Sequence, residues 1–471
     1  MSMFQLHEAA AWVNGRLVGD GAVAVERVHT DSRSLQPGDL FVALKGERFD
    51  ANDFLADARA QGAVAAIAQP GRLPAGWSGI EVADSKLALG QLARAWRQRH
   101  TLPLVAVTGS NGKTTVTQMI AAILRAWQPG ASLATEGNRN NDIGLPLTLL
   151  RLRAGHRVGV VELGMNHPGE IGYLAHIAMP TVALVNNAQR EHQEFMASVA
   201  AVAQENASVF GALPADGCAV FPAGDAFTPL WTRLAGGRKC LTFGTAGADV
   251  ALANATWAQG AWQVQASTPA GPLAFELRVA GRHNVLNALA AAAIGWQLGI
   301  EAETIAHALQ AFQGVGRRFH RRGEIAIDHG SVLLVDDYGH HPRELAAVFA
   351  AARGGWPQRR LVVAFQPHRY TRTRDLLDDF ANVLAEVDVL VLTDVYPAGE
   401  APIAGADGRA LARAVRARGK VDPVLVEHPR ELKETLPALL RDGDLLLLLG
   451  AGDIGAAAVE LAQLGNLRTS K

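Results

Sequence analysis

Short apolar runs alternate with helical patterns along the first part of the chain. LFVAL (residues 40–44) and AVAAIA (residues 63–68) predict two strands, with an amphipathic stretch between them. A helix is predicted from about Leu87 to Arg99, before a break at Thr101-Leu-Pro103. Residues 1–99 are therefore predicted to form an α/β domain.

The second block, residues 100–313, has the order strand, turn, helix. LVAVTG predicts a strand from Leu104, SNGK a turn, and TTVTQMIAAILRAW a helix. VGVVEL (residues 158–163) and TVALVNN (residues 181–187) predict further buried strands. Strands that alternate with helices indicate a parallel sheet covered on both faces.

A separate α/β unit is predicted over residues 314–471. Its strand candidates are SVLLVDDY, RLVVAFQP, DVLVLTDVY and DLLLLLGAG, with helical patterns between them. A chain of 471 residues also predicts about three domains, at roughly 150 residues each. The pattern thus indicates an α/β protein of three domains.

Composition and charge exclude several classes of partner and of cellular location. The formal net charge is −1, which gives no electrostatic footprint for nucleic acid. The two cysteines, Cys218 and Cys240, are too few for a disulfide scaffold. The N-terminus lacks the order of a signal peptide, and the run Leu445–Leu449 is too short to span a membrane. A cytoplasmic protein that does not insert into membranes is expected.

The stretch VAVTGSNGKTTV resembles a phosphate-binding loop, G-x-x-x-x-G-K-[ST], in which Val107 replaces the first glycine. Backbone N–H groups after the strand and the positive end of the following helix suit phosphate oxygens. Lys113 would face the β- and γ-phosphates, and the Thr114 hydroxyl would bind Mg²⁺. The alternative is a strand–helix turn without a ligand. The predicted nucleotide-binding residues are Gly109, Ser110, Asn111, Gly112, Lys113, Thr114 and Thr115.

Two further residues follow neighbouring strands and are candidates for the metal site. Glu162 comes at the end of VGVVE, and His192 follows TVALVNN. Mg²⁺ prefers hard oxygen ligands, which a carboxylate at this edge of the sheet supplies. On spacing alone, Glu162 is equally well a surface carboxylate and His192 a loop residue.

Taken together, TGSNGKTT, ELGMNHPGEI, the histidine after NNAQRE, and GRHNVLNALAAAA are similar to the Mur ligase family, which builds the peptide stem of bacterial peptidoglycan. HTDSRSLQPGDLFVALKGERFDANDF (residues 29–54) and EGNRNNDIGLPLTLL resemble its MurF type, which adds D-alanyl-D-alanine to UDP-N-acetylmuramoyl-tripeptide. The resemblance implies a central P-loop, parallel-sheet ATPase domain. An N-terminal α/β domain for the UDP-linked substrate and a C-terminal Rossmann-like domain would flank it.

The last third resembles a different branch of the same family. GVGRRFHRRGE, VDDYGHHP, FQPHRYTRTRDL, VYPAGEAPI and GAGDIG are similar to the MurC type, which adds L-alanine to UDP-N-acetylmuramate. The MurF type would carry a D-S-Y-N-A-N-like stretch at residues 336–341, which read DDYGHH. The chain therefore resembles a hybrid joined near GRHNVLNALAAAA. GAGDIG itself is interpreted as a strand–helix turn, because too few residues follow it for a dinucleotide site.

The implied activity is an ATP-dependent amide ligase that works through an acyl-phosphate. The main expectation is addition of D-alanyl-D-alanine to UDP-N-acetylmuramoyl-tripeptide by a monomer that uses ATP and Mg²⁺. The alternatives are addition of L-alanine to UDP-N-acetylmuramate, or a hybrid that binds nucleotide without ligation. A P-loop kinase or switch ATPase is disfavoured by the two flanking domains.

The resemblance also implies roles for individual residues. Lys113, Glu162 and His192 would be catalytic, the last two with Thr114 as metal ligands. Asn284 and Asn287 would pack against adenine, although Asn284 is also suited to cap its helix. The remaining candidates are Arg318 and Asp337 for ATP; Ser32 and Arg33 for the uridine diphosphate; Asn140 and Asn141 for the sugar and peptide; and His340, His341, His368 and Arg369 for the incoming amine. The sequence Asp-Ser-Arg at residues 31–33 is equally consistent with a plain turn.

One feature departs from the family. Related ligases place a carbamylated lysine on the helix after the histidine, whereas Asn206 aligns with that position and no lysine occurs between Lys113 and Lys239. A carbamate is therefore not expected. The carboxylates that would replace it as ligands of a second metal are Glu205, Glu191 and Glu194.

Overall fold

A computed structural model describes residues 2–46, 49–189 and 198–468. They form two compact units, between which the chain crosses at five points. The first unit comprises Met1–Asn254, Gln265–Phe275 and Leu286–Leu309, and the second comprises Ala255–Val264, Glu276–Val285 and Gln310–Lys471. The domain boundaries predicted after residues 99 and 313 stay predictions.

The first hundred residues form a five-stranded sheet with helices against it. The strand order is β2-β7-β6-β5-β4, in which β4 to β7 are parallel and β2 is antiparallel to β7; β1 and β3 form a separate antiparallel pair. The elements are β1 (Phe4–Gln5), α1 (Leu6–Trp12), β2 (Arg16–Val18), β3 (Ala24–Val25), β4 (Arg27–His29), β5 (Asp39–Val42), α2 (Leu55–Ala60), β6 (Ala65–Ala68), β7 (Gly79–Glu81) and α3 (Ser85–Gln98).

Helix α3 shows why this region joins the first unit. The Asp84 side chain caps the helix by accepting hydrogen bonds from the N–H groups of Lys86 and Leu87. Leu89 and Trp96 on its inner face are buried in one continuous core that also contains residues of the neighbouring parallel sheet. The N-terminal sheet and the phosphate-loop sheet therefore share a hydrophobic core.

The phosphate-loop sheet has parallel strands in the order β13-β12-β11-β8-β10-β9, and β14 also pairs parallel with β13. The elements from this point to residue 311 are β8 (Leu104–Thr108), α4 (Lys113–Trp127), β9 (Ser132–Ala134), α5 (Gly144–Leu149), β10 (Val158–Glu162), α6 (Glu170–Ala178), β11 (Val182–Val185), α7 (Val199–Ala207), β12 (Cys218–Pro222), α8 (Thr228–Leu234), β13 (Lys239–Gly244), β14 (Val250–Ala258), β15 (Ala261–Thr268), β16 (Gly271–Leu277), α9 (Arg282–Gln297) and α10 (Ala302–Ala311).

The second unit contains a seven-stranded sheet in the order β21-β20-β19-β22-β18-β17-β23, in which β17 runs antiparallel to β18. Apolar clusters cover both faces of this sheet. The elements are β17 (His320–Ile327), β18 (Gly330–Asp337), α11 (Pro342–Gly355), β19 (Leu361–Phe365), α12 (Tyr370–Asp375), α13 (Leu377–Leu384), β20 (Val389–Leu392), α14 (Gly408–Arg416), β21 (Val424–Leu425), α15 (Leu432–Thr435), β22 (Leu445–Leu449), α16 (Ile454–Leu464) and β23 (Asn466–Leu467).

The strand–turn–helix pattern predicted at Leu104 is confirmed by β8 and α4, and the buried strands that were predicted on either side are β10 and β11. The GAGDIG segment is also confirmed as a turn, since it joins β22 to α16. Within the described part of the chain, the helices are too short or too polar to cross a membrane.

Candidate functional site

Two glycines allow the phosphate loop to turn tightly after β8. Gly109 has φ +130°, and a Cβ added there would lie 3.0 Å from the backbone nitrogens of Asn186 and Asn187. Gly112 has φ +77° and precedes α4. Val107, which stands where a Walker loop has its first glycine, is a buried strand residue. Gly109 thus supplies the bend one step after the strand ends.

The first three N–H groups of the loop are bound by the protein itself. The N–H of Gly109 donates to Asn206 Oδ1 at 3.1 Å, and that of Ser110 to the Asn187 carbonyl at 3.1 Å. The N–H of Asn111 donates to Asn187 Oδ1 at 2.9 Å. The part of the loop best placed for phosphate is therefore the positive N-terminal end of α4. Within that first turn, the N–H of Val116 already donates to the Gly112 carbonyl at 2.9 Å.

A second set of amides holds the outside of the loop. The Asn111 carbonyl accepts hydrogen bonds from Asn186 Nδ2 at 2.8 Å and Asn187 Nδ2 at 2.9 Å. Asn186 Nδ2 also donates to Asn287 Oδ1 at 3.0 Å. A Cβ on Gly112 would lie 2.7 Å from that Asn287 oxygen, so any side chain would collide with it. The structure places Asn287 against the loop.

Lys113 lies over the loop that precedes it. Its Nζ donates to the carbonyls of Gly109 at 2.6 Å and Ser110 at 3.0 Å. Thr115 is buried in the same first helical turn. A positive side chain and a helix N-terminus therefore meet at this edge of the sheet, which is a favourable place for a polyphosphate.

Glu162 ends the neighbouring strand β10 and is only 1 % exposed. Its Oε1 accepts hydrogen bonds from Asn140 Nδ2 at 2.7 Å and Thr114 Oγ1 at 3.2 Å. Its Oε2 is buried and has no hydrogen-bond partner in the described part of the chain. A buried oxygen without a donor beside a hydroxyl fits a hard cation such as Mg²⁺.

The rest of the predicted metal site is less complete. His192, Glu191 and Glu194 lie outside the described residues. Among the residues that are described, no group of three His, Cys, Asp or Glu side chains is arranged to hold a metal ion. Glu205, one of the carboxylates suggested for a second metal, accepts the N–H of Ile171 at 3.0 Å at the start of α6.

The two asparagines predicted to bind the sugar and peptide have contacts within the protein. Asn140 holds Glu162 and lies close over Gly164, where a Cβ would come within 2.9 Å of the Asn140 amide carbon. Asn141 Oδ1 accepts the N–H of Gly144, the first residue of α5, at 2.8 Å. Asn140 therefore lies beside the Glu162 carboxylate, close to the phosphate loop.

Asn206, which was predicted to align with the carbamylated lysine of related ligases, joins α7 to the end of β8. Its Oδ1 accepts the Thr108 hydroxyl at 2.6 Å in addition to the N–H of Gly109. Asn206 is 1 % exposed, and its Nδ2 has no partner among the residues described. The nearest lysine in sequence after the loop, Lys239, lies 4.9 Å from the Trp296 ring centre in a cation–π contact.

The two residues predicted to bind the uridine diphosphate lie in a short surface turn. Ser32 and Arg33 belong to the 3-10 helix Ser32–Ser34, which Asp31 caps through the N–H of Arg33. The Arg33 side chain is 87 % exposed and pairs with Asp31 at 2.7 Å. Hydrogen bonds from Arg33 hold the pKa of Asp31 well below its usual range. A turn is present, and its proposed contact with uridine diphosphate stays a prediction.

A second cluster of predicted residues lies at one edge of the sheet in the second unit. Asp337, Leu449 and Phe365 are paired in register, so β18, β22 and β19 end side by side. Asp337 accepts the N–H groups of Phe319 at 2.5 Å and Gly339 at 2.6 Å. Burial raises the pKa of Asp337 to about 6.

Arg318 packs over the ring of Tyr338, with its Cζ 5.2 Å from the ring centre. Asn284, in contrast, bonds locally: its Nδ2 donates to the Ala280 carbonyl at 2.7 Å, at the start of α9. This contact belongs to the second unit, whereas Asn287 belongs to the first.

Three histidines lie in or beside the loop that follows β18. The His340 and His368 rings are 5.8 Å apart, and the His368 ring stacks on Tyr396 at 5.4 Å. Burial lowers the pKa values of His340 and His341, and it lowers that of His368 to about 4. All three imidazoles are therefore neutral at pH 7. Arg369, at φ +71°, begins α12 beside them.

Several residues of these sites escaped the sequence analysis. Asn186 and Asn187 follow a buried strand as a polar pair, which is the one signal that would have indicated them. Glu344 stands three residues after His341 and forms a capping box with it at the start of α11. Tyr396 gave no signal, because its stacking on His368 depends on the pairing of β19 with β20.

Three family models match the chain. They describe the Mur ligase family catalytic domain (residues 24–97), the Mur ligase middle domain (residues 107–295) and the Mur ligase glutamate ligase domain (residues 317–452). The phosphate loop and Glu162 fall in the middle model, and the histidine cluster falls in the last.

Curated relatives share close to half of the aligned residues. A UDP-N-acetylmuramate–L-alanine ligase of Xylella fastidiosa is 45% identical over 380 residues, which cover 79% of this chain and 76% of the relative. An enzyme of the same description from Xanthomonas campestris is 46% identical over 367 residues, covering 77% and 74%.

Solved structures are similar over nearly the whole chain. MurF from Acinetobacter baumannii has a TM-score of 0.81 at 28% identity and covers 98% of this chain and 99% of its own. UDP-N-acetylmuramate–alanine ligase MurC from Thermotoga maritima has a TM-score of 0.60 at 21% identity, covering 91% and 93%, and shows the fold alone.

Proposed function

The chain belongs to the Mur ligase family, and from this premise we propose that it joins L-alanine to UDP-N-acetylmuramate. Membership makes it an ATP-dependent amide ligase of peptidoglycan precursor synthesis, whose substrates are a UDP-muramoyl compound and an amino acid or peptide. The amine and the exact UDP-linked acceptor are the parts that we propose.

One observation carries the choice of L-alanine. Relatives described as UDP-N-acetylmuramate–L-alanine ligases are 45–46% identical over more than three quarters of this chain, whereas the solved MurF structures from Acinetobacter baumannii are 28–29% identical. The residues predicted to receive the amine, His340, His341, His368 and Arg369, also lie in the segment that resembles the MurC type.

A second candidate is the addition of D-alanyl-D-alanine to UDP-N-acetylmuramoyl-tripeptide. The observation that favours it is the similarity of the fold to Acinetobacter baumannii MurF over 98% of the chain, with a TM-score of 0.81. The N-terminal segment at residues 29–54 also resembles the MurF type. This candidate and the first differ in both substrates, so they are separable by assay.

The proposed chemistry begins at the phosphate loop. A substrate carboxylate oxygen attacks the γ-phosphorus of ATP, the bond to the bridging oxygen breaks, and ADP leaves with the electron pair. Lys113 and the N–H groups at the start of α4 stabilise the negative charge that spreads over the transferring group. The amides of Asn187 and Asn206 hold the loop so that these groups keep their positions.

The family also implies Mg²⁺, and the residues of this chain fit it. Thr114 and Glu162 would hold the ion through a hydroxyl and through the carboxylate oxygen that has no donor among the described residues. When bound, Mg²⁺ neutralises charge on the phosphate oxygens. Asn140 orients the Glu162 carboxylate from the other side. His192 is the remaining predicted ligand, and its role stays a prediction.

The test is an assay of both UDP-linked acceptors against both amines. UDP-N-acetylmuramate and UDP-N-acetylmuramoyl-tripeptide are each supplied with L-alanine or D-alanyl-D-alanine, and ADP and the UDP-linked product are measured. Lys113→Ala is the control, with an expected loss of about 10²–10³-fold in turnover.

The possible results of this assay separate the two candidate functions from each other and from a protein that does not ligate. Product from UDP-N-acetylmuramate with L-alanine alone supports the proposal, and product from the tripeptide with D-alanyl-D-alanine alone establishes the second candidate. Nucleotide binding without product from any pair would mean that the chain does not act as a ligase. The last result overturns both candidates.

A further inference from the structure

The amine that attacks the acyl-phosphate must first lose a proton, because an ammonium group has no free electron pair. The α-amino group of a peptide has a pKa of about 8, and that of a free amino acid is higher. At neutral pH most of the incoming amine is therefore protonated. A side chain that accepts this proton would be expected near the site that receives the amine.

His340 is held as such an acceptor would be. Its Nδ1 lies 3.1 Å from the Tyr338 carbonyl and 3.4 Å from Glu344 Oε2, so Nδ1 carries the hydrogen. Its Nε2 has no hydrogen-bond partner in the described part of the chain, and the side chain is 22 % exposed. The free nitrogen is thus an acceptor that a small molecule can reach.

The two neighbouring histidines are less suited to the role. The His341 side chain accepts the N–H of Glu344 in the capping box, so its acceptor nitrogen is occupied. His368 Nδ1 lies 3.4 Å from an Arg372 guanidinium nitrogen, and that positive charge disfavours an imidazolium. Of the three rings, His340 is the one with a nitrogen 3.4 Å from a carboxylate oxygen among the described residues, that of Glu344. The charges of Glu344 and Asp379 also act on His341, and that of Glu400 acts on His368.

We propose that His340 accepts the proton of the incoming amine and that Glu344 is the positioning residue which orients it and stabilises its charged form. The inference rests on the proposed function. The ammonium N–H bond breaks and the proton goes to His340 Nε2. The nitrogen lone pair then bonds to the acyl carbon while the carbon–oxygen bond to phosphate breaks. The departing phosphate takes the second proton.

Electrostatics around the ring agree with this assignment. Burial lowers the pKa of His340, and the charge of Glu344 partly opposes that effect. Arg372 and Arg318 lower it further. The ring is consequently neutral at pH 7 and ready to accept a proton. Burial would raise the pKa of Glu344, but the charge that His340 carries when protonated, the N–H groups of His340 and His341, and Arg318 together lower it, so Glu344 is charged.

The experiment separates the amine step from acyl-phosphate formation. Ligation is measured from pH 6 to 9.5 for the wild type, His340→Gln and Glu344→Gln, and hydroxylamine replaces the amino acid in a parallel assay. Hydroxylamine is largely unprotonated at neutral pH and traps the acyl-phosphate without needing a base. His329→Asn, in the exposed turn between β17 and β18, is the matched control.

For His340→Gln we expect a loss of about 10²-fold in kcat at pH 7, which shrinks as the pH rises toward the amine pKa. Hydroxamate formation should stay at the wild-type rate. Glu344→Gln keeps an oxygen for the N–H groups of His340 and His341, but removes the charge. It should shift the acidic limb of kcat/KM to lower pH, which a purely structural role would not do.

Two results would overturn the inference. One is an unchanged pH profile with a raised KM for the amino acid, which would make His340 a binding residue only. The other is a parallel fall of hydroxamate formation and ligation, which would place His340 in the first step or in folding. Wild-type hydroxamate without amide from L-alanine would instead refute the proposed amine, and the same pH series is then run with D-alanyl-D-alanine. If neither amine gives an amide, both proposals fall.

Discussion

At the scale of single residues, the hydrogen bonding of Glu162 differs from that expected of a structural carboxylate. Its Oε1 is satisfied by Asn140 and Thr114, whereas its buried Oε2 has no donor among the described residues. An unpartnered buried carboxylate oxygen costs stability, and structural carboxylates are normally fully paired. A bound cation would compensate for that cost.

We predict that Glu162→Gln removes most Mg²⁺-dependent activity without lowering the thermal midpoint. The substitution keeps an oxygen for Asn140 and Thr114 but takes away the charge that a hard cation needs. The measurement is ATP turnover as a function of Mg²⁺ concentration, with an expected rise of roughly tenfold or more in the concentration required.

Glu136→Gln is the matched control, because Glu136 is an exposed carboxylate of the same unit that pairs with Arg151. An identical Mg²⁺ dependence in wild type and Glu162→Gln would show that Glu162 is not a ligand. A large fall in thermal midpoint would show that its charge is structural.

The sequence predicted which residue types the phosphate loop needs but not how the loop is held. Gly112, Lys113 and Thr114 follow a strand in a recognisable order, so their position could be predicted. The amides of Asn187 and Asn206 reach the loop from more than seventy residues away. Such contacts depend on strand order and helix packing, which a local pattern does not contain.

At the scale of elements, helix α7 is tied to β8 and the loop by one side chain. Asn206 Oδ1 accepts two hydrogen bonds, from the Thr108 hydroxyl and from the N–H of Gly109. Both atoms belong to the bend where the chain leaves the sheet. The helix therefore fixes the start of the loop, a role that its family alignment did not predict.

We predict that Asn206→Leu raises the KM for ATP by up to about 30-fold, because two hydrogen bonds worth about 1 kcal/mol each are lost at similar side-chain size. Asn206→Asp keeps an oxygen that can accept both hydrogen bonds, so it is the matched control. Steady-state kinetics with varied ATP gives the KM, and circular dichroism checks the fold. Equal KM values for Leu and wild type would mean that Asn206 does not position the loop.

The same residue also predicts how the enzyme responds to carbon dioxide. With Asn206 in place of a lysine and Lys239 held over Trp296, no lysine is expected to form a carbamate in the nucleotide site. Removing and restoring bicarbonate should therefore leave the wild-type rate unchanged. A rate that recovers with bicarbonate would place a carbamylated lysine at the metal.

Regular elements were the most predictable part of the fold. The buried strands β8, β10 and β11 contain continuous apolar runs that end in polar residues, and their positions were predicted to within a residue or two. Short or exposed strands such as β21 and β23 have two residues each and leave no recognisable pattern. Their existence depends on neighbouring strands.

At the scale of the whole molecule, the chain forms two compact units although three family models match it. A shared hydrophobic core explains why the first two models fall in one unit, since α3 and the phosphate-loop sheet contribute to the same cluster. The sequence could not predict this, because an apolar helix face does not indicate which sheet will cover it.

The second unit also contains a hairpin that precedes GRHNVLNALAAAA, the segment near which the two resemblances meet. Residues 255–264, which include the end of β14 and the start of β15, belong to it together with residues 310–471. The Trp257 ring lies 5.7 Å from Trp356 and 5.4 Å from Trp262, and Phe319 stacks on Trp356 at 5.9 Å. These four rings form an aromatic cluster that links the two segments.

We predict that Trp257→Ala destabilises the second unit by about 2–3 kcal/mol, because a partly buried aromatic ring and a hydrogen bond to the Gly355 carbonyl (2.9 Å) are both lost. Trp257→Phe keeps the ring contacts and should cost only about 1 kcal/mol, the value of the hydrogen bond. The full chain is unfolded in urea, and unfolding is monitored by hydrogen exchange in residues 310–468. This measures the loss of stability in the second unit, where it is expected. If Trp257→Ala left the exchange of that segment unchanged, the hairpin would contribute nothing to the unit that contains the histidine cluster, and residues from 314 onward should then fold without it.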